Sequence, residues 1–209
     1  MNFTWKIEIG TLDSILDDLH KKLLPLEVKI IKIVHQAVIE AKKEYENTKQ
    51  DRRTEKVLEA LKNLGKTLGY CIPDQEWLLD CVWFLSKKEP YFVPEEFIEN
   101  FKSSSVTRQQ ESLWWNKVEK IKLACEVEWE GAINEIFKDF LKLCVLHSDI
   151  KLYIHSNQYY DTKNSINTVD VCRSILERFK NDRFLFIGFN IDKPAKTFKK
   201  EFRIDLCIT

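Results

Sequence analysis

The chain has 209 residues, with 33 Lys and Arg set against 33 Asp and Glu. That length suits one domain around a sizeable core. A composition of 44% hydrophobic and 12% aromatic residues, with five Gly and five Pro, excludes a disordered or low-complexity chain. Zero net charge argues against a protein that coats nucleic acid by bulk attraction, but not against one that meets DNA through a local patch. No run approaches the roughly 18 apolar residues that span a bilayer. The opening MNFTWKIEIG lacks a basic stretch followed by an apolar one, so no signal peptide, no membrane span and a cytoplasmic location are expected. Six cysteines without a Cys-x-x-Cys pair sit mostly in apolar segments and read as reduced and structural. The four histidines are scattered, which points away from a zinc site.

In chain order, Phe3, Trp5, Ile7 and Ile9 alternate with Lys6 and Glu8, a short strand pattern. Thr11 offers an N-cap for a helix with Leu12, Ile15, Leu16, Leu19 and Leu23 on one face, and Pro25 breaks or restarts it. Ile30, Ile31, Val34, Val38, Ala41 and Tyr45 form a second helical stripe. Residues 49–56 read as a solvated turn, and a third helix over about 54–64 turns Val57, Leu58, Leu61 and Leu64 inward before Gly65 and Gly69 end the helical region. Residues 77–84 then read as a buried strand interrupted by one acid, Asp80. Residues 87–119 are irregular, a lobe or lid. A strand over 121–129 precedes a helix over 132–146 with Ile133, Ile136, Phe137, Phe140, Leu141, Cys144 and Val145 on one stripe. A strand over 150–155, a polar loop and a helix over 169–180 follow. The strand over 184–189 is apolar throughout and reads as central, whereas 202–208 alternates like an edge strand. The expected fold class is α/β, a mixed central sheet flanked by helices. Residues 1–70 are a mainly helical N-terminal region and 71–209 an α/β core of the same domain, with an insertion around 87–119.

Alternation along 121–129 puts Glu126 and Glu128 on one face, about 7 Å apart. A hard divalent cation takes oxygen ligands from such a convergent pair, with a third from a neighbouring strand. Asp80, the only charge in its apolar segment, is the third candidate, since a lone buried carboxylate is costly unless compensated. Two glutamates at i and i+2 also describe an ordinary solvated strand face, and a lone Asp also ends strands or caps helices. Spacing alone does not choose.

Asp80, then Glu126-Val127-Glu128, then helix, strand, helix and strand resembles the PD-(D/E)xK nuclease superfamily, with its restriction-endonuclease-like fold. Glu-x-Glu in place of Glu-x-Lys is similar to the BamHI type of restriction endonuclease. The run Glu76-Trp77-Leu78-Leu79-Asp80, the helix segment Asp139-Phe140-Leu141-Lys142-Leu143, and the strands Asp149-Ile150-Lys151-Leu152-Tyr153-Ile154 and Phe184-Leu185-Phe186-Ile187-Gly188-Phe189-Asn190 carry the likeness over residues 76–190. Asp80 is preferred to the Asp74 of Pro73-Asp74, which reads as a turn. The resemblance implies a Mg²⁺-dependent endonuclease that hydrolyses DNA phosphodiester bonds. One or two Mg²⁺ ions would be held by Asp80 and Glu126, with Glu128 a further ligand or proton acceptor. Some members add a helix-borne acid, for which Glu55 and Glu59 are the candidates. A homodimer would suit cleavage of both strands. The alternative is a non-catalytic nuclease-fold protein binding nucleic acid or a protein partner. Arg52, Arg53, Lys87, Lys88, Arg108, Gln109, Gln110 and the Asn157-Gln158-Tyr159-Tyr160 loop are candidate DNA contacts, each equally readable as a solvated loop. Trp114 and Trp115 fit a core better than a stacking platform.

Overall fold

The computed structural model describes residues 4–10, 12–19, 21–48, 52–73, 78–87, 118–129, 133–156, 159–161, 166–176, 182–189 and 202–208. Strand β1 (Thr4–Gly10) leads into helices α1 (Leu12–Leu19), α2 (Pro25–Thr48) and α3 (Arg53–Thr67). Strands β2 (Cys81–Ser86) and β3 (Val118–Glu128), helix α4 (Ile133–Val145) and strand β4 (Ser148–Ser156) follow. A small hairpin, β5 (Tyr159–Asp161) and β6 (Ile166–Asn167), precedes helix α5 (Thr168–Leu176) and strands β7 (Arg183–Phe189) and β8 (Phe202–Ile208). Six strands form one mixed sheet in the order β1-β8-β7-β4-β3-β2. Strands β3, β4 and β7 run parallel, and β1, β8 and β2 join antiparallel. The expected mixed α/β sheet and the helical N-terminal region are both present.

Alternation sorts the sheet's side chains into two cores. Leu123, Cys125, Ile150, Leu152, Ile154, Leu185 and Ile187 pack with Ile15, Leu19, Ile30, Val34, Val38, Val57 and Leu61 of α1–α3. On the opposite face Ala124, Tyr153, Phe184 and Phe186 pack with Ile136, Phe140 and Leu143 of α4 and Cys172, Ile175 and Leu176 of α5. A strand covered on both faces must be apolar throughout, which is why β7 reads as an unbroken hydrophobic run. Among the described residues, no helix is long and apolar enough to cross a membrane. Cys81, Cys125, Cys144, Cys172 and Cys207 are buried free thiols, and Cys71 is an exposed one.

Helix α2 is anchored at its first turn. Pro25 opens it with a missing N–H that costs nothing there, and Glu27 Oε2 accepts the Leu24 N–H at 2.7 Å. The Glu27 carboxylate is fully buried and is clamped by Arg183 of β7, Nε to Oε1 at 2.6 Å and Nη2 to Oε2 at 2.7 Å. This fork ties the N-terminal helices to the parallel strands. Helix α3 ends at Gly69, whose φ of +80° is the left-handed conformation that releases the chain.

Several expectations change. Strand β8 is not an edge, because all of β1 pairs with it, from Thr4↔Ile208 to Gly10↔Phe202, so β1 and β2 are the outer strands. Asp80 lies in a bend just before β2 rather than within a strand. Gly65 sits inside α3 instead of ending it, and part of the expected turn at 49–56 is the start of that helix. The buried stripe of α2 stops at Ala41; Tyr45 is exposed, in the turn where Glu44 is taken by Arg52 and Lys56 of α3. On α4 the inward positions are Ile136, Phe140, Leu143 and Cys144, a 3.6-residue drift that leaves Leu141 and Val145 exposed. Ile121 packs with the α4 side, not with Leu123, where an extra β3 residue slips the register between Trp83 and Phe84. Thr11, Trp77, nearly all of the 87–119 segment and residues 177–180 lie outside the described residues.

Breaking the Glu27–Arg183 clamp strands a buried charge. Arg183→Met is expected to lower unfolding free energy by about 3–5 kcal/mol, read as a shift in the urea midpoint at constant slope. Gly65→Ala should also destabilise, although alanine favours helices by about 1 kcal/mol in general. A Cβ there would lie 2.7 Å from Trp83 Nε1 and 2.8 Å from Ile72 Cδ1. A neutral or positive effect in the same melts would show that α3 can back away from β2.

Candidate active site

Strand β3 delivers Glu126 to the α4 side of the sheet, next to Ala124 and across from Tyr153 of β4. Antiparallel pairing of Cys81 with Cys125 brings Asp80, the residue before β2, beside Glu126. Asp80 Oδ2 accepts the Val127 N–H at 2.8 Å, taking a place that a ladder carbonyl would otherwise fill. The two carboxyls are close enough for each to act on the other's ionisation. From α4, Lys142 Nζ approaches Glu126 Oε1 at 3.3 Å and Asp139 Oδ1 at 2.7 Å.

Glu126 is only 2% exposed, so ionising it is opposed first by burial and then by the negative charge of Asp80. Together these outweigh Lys142 and push its pKa up to about 8. Burial also raises the Asp80 pKa, against the pull of the Val127 N–H and of Glu126. Lys142 is held above the usual ammonium value: burial works against its charge, but Asp139 and Glu126 prevail. Glu126 is therefore largely protonated at neutral pH, with the Lys142 ammonium beside it. Full ionisation of both acids is opposed near neutral pH and is favoured by a rise in pH or by added positive charge.

Glu128 lies one step further along the same face, half-buried, opposite His155 of β4. The principal groups acting on Asp80 and Glu126 are each other, Val127, Lys142 and Asp139. Among the described residues no cluster of three or more His, Cys, Asp or Glu side chains is arranged to hold a metal ion. Mg²⁺ commonly takes only one or two protein carboxylates, filling its other positions with water and substrate phosphate. Asp80 and Glu126 fit that smaller requirement.

Glu55 and Glu59 lie on α3, which packs on the opposite face of the sheet from Glu126. Both line an open groove of about 830 Å³ together with Thr54, Leu58 and Lys62, and Glu55 is paired with Arg52. Arg52 also bonds Glu44 at 2.8 Å, and Arg53 lies over the Trp129 ring, 5.2 Å from its centroid. Both arginines thus hold α3 to its neighbours. Asp74, Lys88, Arg108, Gln109, Gln110, Trp114, Trp115, Asn157 and Gln158 lie outside the described residues. Lys142 and Asp139 were not recognised as site residues from the sequence. Their i, i+3 spacing on either side of the inward Phe140 is the signal that could have marked them.

No protein-family model, curated protein or solved structure matches this chain.

A raised carboxyl pKa means that the fold favours the protonated form. Its stabilising contribution is complete below about 4.5, the ordinary glutamate value, and is lost as pH rises through about 8. Thermal midpoints of the wild type are expected to fall between about pH 5 and pH 9, whereas Glu126→Gln should flatten that part of the curve and exceed the wild type at the alkaline end. Equal slopes in the two proteins would assign the pH dependence to other groups.

Proposed function

We propose that the protein is a Mg²⁺-dependent endonuclease hydrolysing DNA phosphodiester bonds, with a restriction-endonuclease-like core. The observation that carries the reading is the buried Glu126 carboxyl against Asp80, with the Lys142 ammonium 3.3 Å away. Sheet order supports it too, because Glu126 lies on β3, Asp80 immediately precedes the adjacent strand β2, and the helix that follows β3 carries Lys142 to Glu126.

Asp80 and Glu126 would hold the cation, which when bound lowers the pKa of a coordinated water and offsets charge on the pentavalent phosphorus. Asp80 is oriented for this by the Val127 N–H. Glu126 would release its proton to solvent to serve as a full ligand. Glu128, on the same face one step away, would be a further ligand or accept a proton from the attacking water. The new O–P bond forms as the P–O bond to the leaving nucleoside oxygen breaks in line with it. One active site per chain serves one strand, so cutting both strands calls for a homodimer. Five buried thiols without a disulfide suit a reducing, cytoplasmic setting.

A second reading, a nuclease-fold protein that binds nucleic acid or a protein partner without cutting, is favoured by the same contacts. Val127 and Lys142 already give each carboxyl a partner without any metal. Purified protein incubated with plasmid and phage DNA separates the two. Nicking or linearisation in Mg²⁺, absent in EDTA, is the expected result. Asp80→Asn and Glu126→Gln should each reduce cleavage to background while retaining native circular dichroism. Full activity in Asp80→Asn would remove it from the site, and DNA retention without cleavage would favour the second reading.

A further inference from the structure

We propose that Lys142 is the resident cation of the acidic pair, and that a divalent ion entering the site displaces its ammonium from Glu126 onto Asp139. The inference rests on the reading of Asp80 and Glu126 as metal ligands and adds the residue that sets how readily they accept one. Lys142 bridges two carboxylates unequally, at 2.7 Å from Asp139 and 3.3 Å from Glu126. Asp139 lies one turn back on the same helix, so the longer contact can open while the shorter one holds. The long flexible lysine stem allows this without backbone movement.

Displacement is favoured by charge and by space. Glu126 is almost wholly buried, and an ammonium and a divalent ion against one buried carboxylate repel strongly at a separation of about 4 Å. Asp139 supplies the alternative seat, with a side chain 16% exposed. Lys142 thus keeps the pair compensated while the site lacks metal, and its removal lowers the barrier to loading.

The test is calorimetric titration of the full chain with Mn²⁺, independent of cleavage. Lys142→Gln is expected to bind Mn²⁺ about tenfold more tightly than the wild type, since one nearby positive charge is removed. Lys138→Gln, which deletes an exposed ammonium of the same helix paired with Glu135, should stay within about twofold because exposed charges are well screened. Asp139→Asn takes away the alternative seat and should weaken binding several-fold; it also serves if Lys142→Gln proves unstable. Glu126→Gln should abolish binding. Unchanged or weaker Mn²⁺ binding in Lys142→Gln, with loss in Glu126→Gln, overturns displacement and leaves the metal site standing. Binding that persists undiminished in Glu126→Gln places the ion elsewhere, and no binding in any protein overturns both readings.

Discussion

Helices cover both faces of the sheet, so the central side chains of its parallel strands are delivered into one of two cores. A charge at these central positions has no water to face, and the buried ionisable residues must find partners inside the protein. Lys151 of β4 does so with Asp182 at 2.6 Å and the Cys144 carbonyl at 3.2 Å. His155 hydrogen-bonds through Nδ1 to the Ser156 carbonyl at 2.8 Å, which requires that nitrogen to carry the proton. Arg183, at the head of β7, reaches back to Glu27. Glu126 is the member of this set whose compensation is incomplete: its nearest partners are another acid and a lysine shared with a third. That imbalance singles it out from the other buried charges.

The contrast between Lys151 and Glu126 shows how a structural ion pair differs from a candidate site. Lys151 meets one carboxylate and one carbonyl, and its stem lies against the Phe184 ring, with Nζ 5.0 Å from the centroid. Opposite charges and donors match, and nothing further is required. Around Glu126 there are three carboxyls and one ammonium, so near neutral pH the cluster holds a proton that a further cation would help to expel. Perturbed acids with this kind of deficit gather at functional sites because chemistry needs groups that change state.

What the sequence revealed follows from how local each signal is. Period-two alternation in 121–129 correctly put Leu123 and Cys125 in one core and Glu126 on the opposite face, since a strand's own pleat determines sidedness. The apolar run at 184–189 correctly marked a central strand. Position in the sheet is a different matter. The alternation of 202–208 describes a strand without saying what lies beside it, and the segment that covers it, β1, is about 200 residues away in sequence. Asp80 was legible as an exceptional acid but not as a strand-end cap, because its partner, the Val127 N–H, is 47 residues on. Lys142 was hidden for a related reason. A lysine near an aspartate on an amphipathic helix is common, and only the packing of α4 over β3 aims it at Glu126.

The balance of 33 cations and 33 anions takes on a different meaning once the ions are placed. Two of the arginines that suggested a DNA-binding surface are committed to α3 and its neighbours, and Lys120 and Lys122 both close on Asp149. The charge left for a phosphate backbone is therefore smaller than the arginine and lysine count implies. The acidic site changes in the opposite direction. With Glu126 protonated and Lys142 charged, the four groups Asp80, Glu126, Asp139 and Lys142 carry about one net negative charge rather than the two that three ionised acids beside the ammonium would bring. One buried carboxyl thus sets the charge of the cluster, which neither net charge nor spacing along β3 could express.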